Sequence, residues 1–418
     1  MTKAELIAVG SELLTPYRLD TNSLFLTQEL NRLGIAVIRK TIVGDVRADL
    51  RDAFAAALRR AELVISTGGL GPTEDDLTRE VAAEVLGRRL RLDEEVLRGI
   101  RSRYERLGRA LPPINERQAL VPEGARVLPN RVGTAPGLWM ETNGTVVVLL
   151  PGPPSELRPM FQEFVRPLLE ARSSGVRLAH RILRVAGLPE SEIDQRIARI
   201  YKSYPEVETT LLASPGEVEI HLRLWATNVG DAERTLQELT ERLVMALGEA
   251  VFTTQGETLE DVVARELQLA GATIAVAESC TGGLVSERLT TVPGSSLFFR
   301  GGIVCYSNEM KMAWVDVPAS LLESKGAVSA EVALALAEGV RRRAGATLGL
   351  GVTGLAGPGG GTPDKPVGTV FIALADPAGS RQNLFRFGGD RERIRRAASE
   401  AALDMVRRYF WYARQGRG

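Results

Sequence analysis

"ELVISTGGLGPTEDD", residues 62–76, passes from an apolar run through a glycine turn into a cluster of acids. The run 62–69 reads as a buried strand whose carboxyl end opens into Gly68, Gly69 and Gly71. The stretch that follows, 73–87, has helical periodicity. A strand, a glycine turn and a helix in that order form the unit of a doubly wound sheet, which binds ligands at the carboxyl ends of its strands.

The same alternation extends in both directions. Residues 5–10 and 35–44 read as strands, and 20–34 and 47–61 as helices, the first with Asp20 or Thr21 near its N-cap and Gly34 at its end. "TVVVLLPGPPSELRPMFQEFVRPLLEA" (145–171) adds a strand, a Pro/Gly turn and a helix. Between about 172 and 253 the texture changes to strands around "RILRVAG", "EVETTLLAS" and "EVEIHLRLWAT" with helices near 190–201 and 230–247, a small α+β module. From about 254 a second alternating unit begins: helix "LEDVVARELQLAG", strands at 272–277, 302–306, 347–354, 368–375 and 382–387, and helices near 328–343 and 390–412. The expected class is α/β, with two α/β domains (1–171 and 254–418) of mainly parallel or mixed sheets, joined by the α+β module 172–253.

Composition narrows the function classes. The chain has 418 residues, too many for one ordinary core, with 44% hydrophobic and 25% charged residues, the profile of a globular protein in water. No apolar run approaches the ~20 residues of a membrane helix, and the first residues read as a strand rather than a signal peptide. Cys280 and Cys305 are the two cysteines, so a disulfide framework is excluded and a cytoplasmic setting is expected. A formal net charge of zero offers nucleic acid no general attraction.

Two stretches carry candidate chemistry. At 67–76 the glycines allow a ligand close to the backbone, and a helix start offers N–H donors to a phosphate. The motif is neither a Walker A loop nor a dinucleotide fingerprint. Thr73 and Asp76 have the spacing of a capping box. Alternatively, Glu74, Asp75 and Asp76 would repel a phosphate unless a divalent ion such as Mg²⁺ or Mn²⁺ intervened, with Glu12 and Asp45 as further ligands from neighbouring strand exits. The second stretch is "AVAESCTGGL" (275–284). Ser279 or Thr281 is either a helix cap or a nucleophile, Cys280 either a nucleophile or an inward-facing core residue, and Gly282 and Gly283 candidate oxyanion donors. His180 and His221 fall in the middle module, so a base for this domain must be a lysine: Lys311, Lys325 or Lys365. Arg391 and Arg395, one helical turn apart behind Asp390, have the spacing of an anion clamp.

"VGSELLTPYRLDTNS" (9–23), "TGGLGPTEDDLT" (67–78), "NRVGTAPG" (130–137) and "LPGPPSEL" (150–157) resemble the N-terminal domain of the CinA family, which is similar to molybdopterin-binding domains. "AESCTGG" (277–283), "YSNEMK" (306–311), "GAVS" (326–329), "GVTGLAGPGGGTPDKPVGTV" (351–370) and "GGDRERIRRAA" (388–398) resemble that family's C-terminal nicotinamide-nucleotide amidase domain. The resemblance implies a bifunctional hydrolase. One site would deamidate nicotinamide mononucleotide without a metal, with Ser279 as nucleophile and Lys311 as base, and with Thr281, Gly282, Gly283, Tyr306, Thr353, Gly354, Arg391 and Arg395 around the substrate. The other would hydrolyse ADP-ribose to AMP and ribose 5-phosphate with Mg, Mn or Co. Gly10, Gly68, Gly69, Gly71, Thr73, Asn130, Gly133 and Gly152 would then bind substrate, and Glu12, Asp45, Asp75 and Asp76 the metal. It further implies a homodimer and a KH-like middle module, although no GXXG loop occurs there to clamp nucleic acid. An interaction factor in DNA uptake or repair, and a molybdopterin-handling enzyme, are the alternatives.

Overall fold

The computed structural model describes residues 2–172 and 175–416. They form two compact units: residues up to 179 with 225–232, and residues 180–224 with 233 onward. None of the described helices is long and apolar enough to cross a membrane.

The first unit is built on a six-stranded sheet in the order Ile35–Val43, Thr2–Val9, Leu63–Thr67, Thr145–Leu150, Gly137–Thr142, Arg126–Leu128. The first four strands run parallel, Gly137–Thr142 pairs antiparallel with Thr145–Leu150, and Arg126–Leu128 pairs antiparallel with Gly137–Thr142. Both faces are covered, which is why the strands read as continuous apolar runs. Ala4 and Leu6 pack with Leu26, Leu30 and Phe161 on one face, while Ile7 and Val9 pack with Leu50, Phe54 and Val81 on the other. Asp20 caps helix Thr21–Arg32 by accepting from the Ser23 N–H at 2.9 Å.

Two features depart from the sequence reading. The helix expected from residue 73 begins at Thr78 and ends at Val85. The Thr78 N–H and hydroxyl bond to the carbonyls of Gly69 and Gly68, which ties the helix start to the glycine turn and leaves 70–77 as a loop. Residues 88–144, which show no clear alternation, hold a helix, Glu94–Arg106, and the two antiparallel strands.

The second unit contains two sheets. The α+β module has the order Glu208–Ser214, Glu217–Ala226, Arg177–Ala186, Val251–Thr253. In its long strand Val218, Ile220, Leu222 and Leu224 are buried, and Glu217, Glu219, His221 and Arg223 alternate with them on the opposite face. The second sheet has the order Phe299–Val304, Ile274–Glu278, Leu348–Gly354, Thr369–Ala375, Ser380–Arg386. Its first three strands are parallel and the others antiparallel. Ile274 and Val276 pack with Leu267, Leu350 and Leu403, while Ala275 and Ala277 face Val332 and Leu336. The strand expected to reach Tyr306 stops at Val304, because its neighbour ends at Glu278 and the ladder has nothing further to pair with.

Leu350 is fully enclosed at the centre of this sheet. Leu350→Ala is expected to cost about 2–5 kcal/mol, read as a lower urea midpoint; an unchanged midpoint would contradict the packing described.

Candidate active site

Strand Ile274–Glu278 ends at a fully buried carboxylate. Glu278 Oε2 accepts from the N–H groups of Gly283 (3.0 Å) and Val285 (3.1 Å), and Oε1 from the Ser286 N–H (2.9 Å) and hydroxyl (2.7 Å). One side chain thus satisfies the exposed donors of helix Leu284–Thr291, which has no capping side chain at Gly283. The strand is therefore clamped to the helix, and residues 279–283 form a fixed turn between them. The Ser279 N–H donates to the Val352 carbonyl (2.9 Å), and the Cys305 N–H to the Glu278 carbonyl (2.8 Å).

The clamp corrects one expectation. The Gly283 N–H is taken by Glu278 and the Gly282 N–H by the Ser279 carbonyl (3.1 Å), so neither is free to hold an oxyanion. Both glycines instead allow the turn, at φ 62° and 93°. Among the described residues the backbone N–H groups of Cys280 and Thr281 donate to no carbonyl, and they flank Ser279 on its C-terminal side.

Lys311 comes from the first turn of helix Asn308–Val315, capped by Ser307. Its stem leans back toward the helix start, as helical side chains do. The amine lies 2.9 Å from the Cys305 carbonyl, 3.1 Å from the Tyr306 carbonyl and 3.3 Å from Ser279 Oγ. Lys311 is 1% exposed, makes no ion pair among the described residues, and its pKa is lowered from the usual lysine value by that burial. Cys280, beside the serine, is buried in the apolar core, and its thiol is pushed up to about 12 by burial; burial likewise pushes Cys305 to about 11.

The other candidates gather around this pair. Arg395 holds the Thr281 carbonyl through Nε (3.2 Å) and Nη2 (2.7 Å). Arg391 spans from the Gly357 carbonyl (2.6 Å) to the Tyr306 hydroxyl (2.8 Å). The Thr281 hydroxyl is fully buried with no partner. Thr353 and Gly354 serve the backbone instead: the Thr353 hydroxyl donates to the Ala327 carbonyl at 2.7 Å, and a Cβ at 354 would lie 2.7 Å from Val370. Lys365 donates to the Lys325 and Val328 carbonyls rather than toward Ser279.

In the first unit, strand exits converge as expected. Gly68, at φ 96°, lies so close to strand Thr2–Val9 that a Cβ would stand 2.2 Å from the Val9 carbonyl oxygen, and Gly152 adjoins Gly68. Gly10 donates to the Val43 carbonyl at 3.0 Å, while Gly69 and Gly71 leave no room for a Cβ against Thr78 and Asp76. Asn130 joins two of the motifs, donating to Glu156 Oε2 (2.7 Å) and accepting from the Gly133 N–H (2.6 Å). Asn130 and Gly133 also line a cavity of about 550 Å³ with Arg103, Arg106 and Ile100.

The proposed metal ligands do not come together. Asp76 accepts from the Thr73 N–H (2.9 Å) and hydroxyl, bracing a turn rather than capping a helix. Asp45 is bonded to Ser11 in both directions (2.7 and 3.0 Å). Glu12 and Asp75 are exposed. Among the described residues, no group of three or more His, Cys, Asp or Glu is placed to hold a metal ion, so these residues do not fit an ion as they stand.

Comparison with known proteins accounts for the order of these parts. Residues 5–171 match the family model "Probable molybdopterin binding domain", 180–253 the "Damage-inducible protein CinA KH domain", and 256–410 the "CinA C-terminal domain". A CinA-like protein from Acidobacterium capsulatum is 50% identical over 97% of this chain and 99% of its own. The chain belongs to the CinA family. A CinA-like protein from Solibacter usitatus is 46% identical over 97% of each chain. A solved structure of the protein CinA from Thermoplasma acidophilum is 36% identical and covers 40% of this chain and 99% of its own, with a TM-score of 0.38.

Two residues of this CinA-family chain escaped the sequence reading. Glu278 stands next to the serine, and an acid at a strand end six residues before the first residue of a helix was the available signal. Arg79 is 1% exposed, its Nε and Nη2 have no partner, and burial lowers its pKa, the nearby charges of Glu80, Arg117 and Asp76 acting after that. Nothing in the sequence distinguishes it from the many surface arginines. With both thiols raised by burial, neither Cys280 nor Cys305 is expected to react with iodoacetamide at pH 7.5 until the chain is denatured. Rapid labelling of Cys280 in the folded protein, read by mass spectrometry, would return it to contention as the nucleophile.

Proposed function

We propose that the second unit hydrolyses the carboxamide of nicotinamide mononucleotide to the carboxylate, releasing ammonia, with Ser279 as nucleophile and Lys311 as base. The observation that carries this reading is the set of partners around the Lys311 amine. Three oxygens surround it; once the amine is neutral, its two N–H bonds go to the two carbonyls and its lone pair is left for the Ser279 hydroxyl. Burial without a carboxylate partner favours that neutral form.

Ser279 Oγ attacks the carboxamide carbon as Lys311 takes its proton. The oxyanion forms beside the N–H groups of Cys280 and Thr281, which donate to no carbonyl and face the neighbouring Cys280 thiol. Lys311 returns the proton to the leaving nitrogen, the C–N bond breaks, and ammonia departs from a Ser279 ester. Water, deprotonated by Lys311, then hydrolyses the ester, and the proton returns to Ser279. Arg391, held at the Gly357 loop, and Arg395, held at the Thr281 turn, are the cations we assign to the nucleotide phosphate.

Ser279→Ala is expected to abolish ammonia release, and Lys311→Arg, which stays charged and cannot give up its proton, to lower kcat by about 10²–10⁴-fold. Because the working form of Lys311 is the unprotonated one, kcat/KM is expected to rise with pH through an apparent pKa below the ordinary 10.5. A well-folded Lys311→Arg enzyme with undiminished turnover would sink the assignment.

For the first unit we propose binding of ADP-ribose at the glycine-rich strand exits, with hydrolysis to AMP and ribose 5-phosphate as the reaction. What supports it is Arg79. An enclosed guanidinium whose Nε and Nη2 have no partner, beside Arg117, has donors that a diphosphate would satisfy. The carboxylates do not assemble as metal ligands, and no step is routed through an ion. Arg79→Met is expected to weaken ADP-ribose binding at least tenfold, measured by calorimetry, with Arg79→Lys intermediate; equal affinity in all three proteins would remove this reading.

A further inference from the structure

The chain's two histidines, 41 residues apart in sequence, meet on the open face of the α+β module. His180 Nε2 lies 3.2 Å from His221 Nδ1, and His221 Nε2 lies 2.6 Å from Glu219 Oε2. We propose that His180 and His221 form a chelating site for an imidazole-preferring divalent metal ion of the zinc class, with Glu219 orienting His221 from behind. Zinc–imidazole bonds of 2.0–2.1 Å at a tetrahedral angle place two ligand nitrogens about 3.3 Å apart, close to the separation already present.

The tautomer supports this reading. A carboxylate accepts, so the His221 Nε2 facing Glu219 carries the proton, and in the neutral ring the lone pair is on Nδ1, directed toward His180. A metal-bound histidine commonly has its second nitrogen bonded to a carboxylate in this way, which fixes the ring and raises its basicity. The neighbouring cations are compensated: Arg184 pairs with Glu217 (2.9 Å) and Glu219 (3.0 Å), and Arg223 with Glu208 (3.5 Å). His180 opens to solvent, so water completes the coordination. The site uses neither Ser279 nor the strand-exit carboxylates of the first unit.

The test is calorimetric titration of the chelator-treated full chain with Zn²⁺, comparing wild type with His180→Ala, His221→Ala and Glu219→Gln. One Zn²⁺ per chain is expected in wild type, with affinity at least tenfold lower in either histidine variant and an intermediate loss in Glu219→Gln. Thermal melts without metal check that each variant is folded, and His180→Asn, a polar replacement at a solvent-facing position, guards against a folding defect. Cobalt titration adds a second readout, since a tetrahedral imidazole site gives visible absorption that the histidine variants should lack. Zn²⁺ affinity that is the same in wild type and folded His180→Asn would overturn the proposal, as would no binding by wild type.

Discussion

The carboxylate of Glu278 is the constraint on which the geometry around Ser279 and Lys311 depends. It is enclosed at the end of a central strand and accepts three backbone N–H groups and a hydroxyl from the helix that follows. Hydrogen bonds to an ionised group are stronger than neutral ones, at roughly 1.5–3 kcal/mol each. The helix dipole adds to the attraction, and burial of the charge opposes it. The turn carrying Ser279 therefore has fixed ends, and the serine is presented by a rigid strand and helix rather than by a free loop.

Lys311 reaches Ser279 through the same constraint. The Glu278 carbonyl accepts from the Cys305 N–H, which positions the Cys305 and Tyr306 carbonyls that in turn receive the lysine amine. Backbone acceptors suit a base better than a carboxylate would. A carboxylate would stabilise the ammonium and raise its pKa, whereas carbonyls orient the amine without neutralising a charge. Burial then favours the free base, and the same burial makes both neighbouring thiols poor nucleophiles.

The first unit solves a different problem at its strand exits. Gly68 and Gly152 bring neighbouring strand ends within contact, and Asn130 and Glu156 tie the two remaining motifs together. Its acids are mostly engaged in bracing turns. Among them Arg79 is enclosed with two guanidinium nitrogens unpartnered, donors that the loop itself does not satisfy.

The alternating strand and helix pattern made the α/β class legible in the sequence, because strands covered on both faces must be apolar throughout. The glycine turns were legible as well, because each needs a residue without a side chain, whereas Ser279 and Lys311 stood among several candidates until the family resemblance singled them out. The antiparallel edge of the first sheet was not legible, since strands as short as Arg126–Leu128 carry too few residues to show a period. The start of the helix at Thr78 was hidden too: acids with capping-box spacing look alike whether they cap a helix or brace a turn. Tertiary structure alone decided which N–H groups near Ser279 are occupied, that Arg79 is enclosed, and that His180 and His221 meet across a sheet. Each of these depends on contacts between segments distant in sequence, and side-chain identity does not specify which donor and acceptor will find one another once the strands are in register.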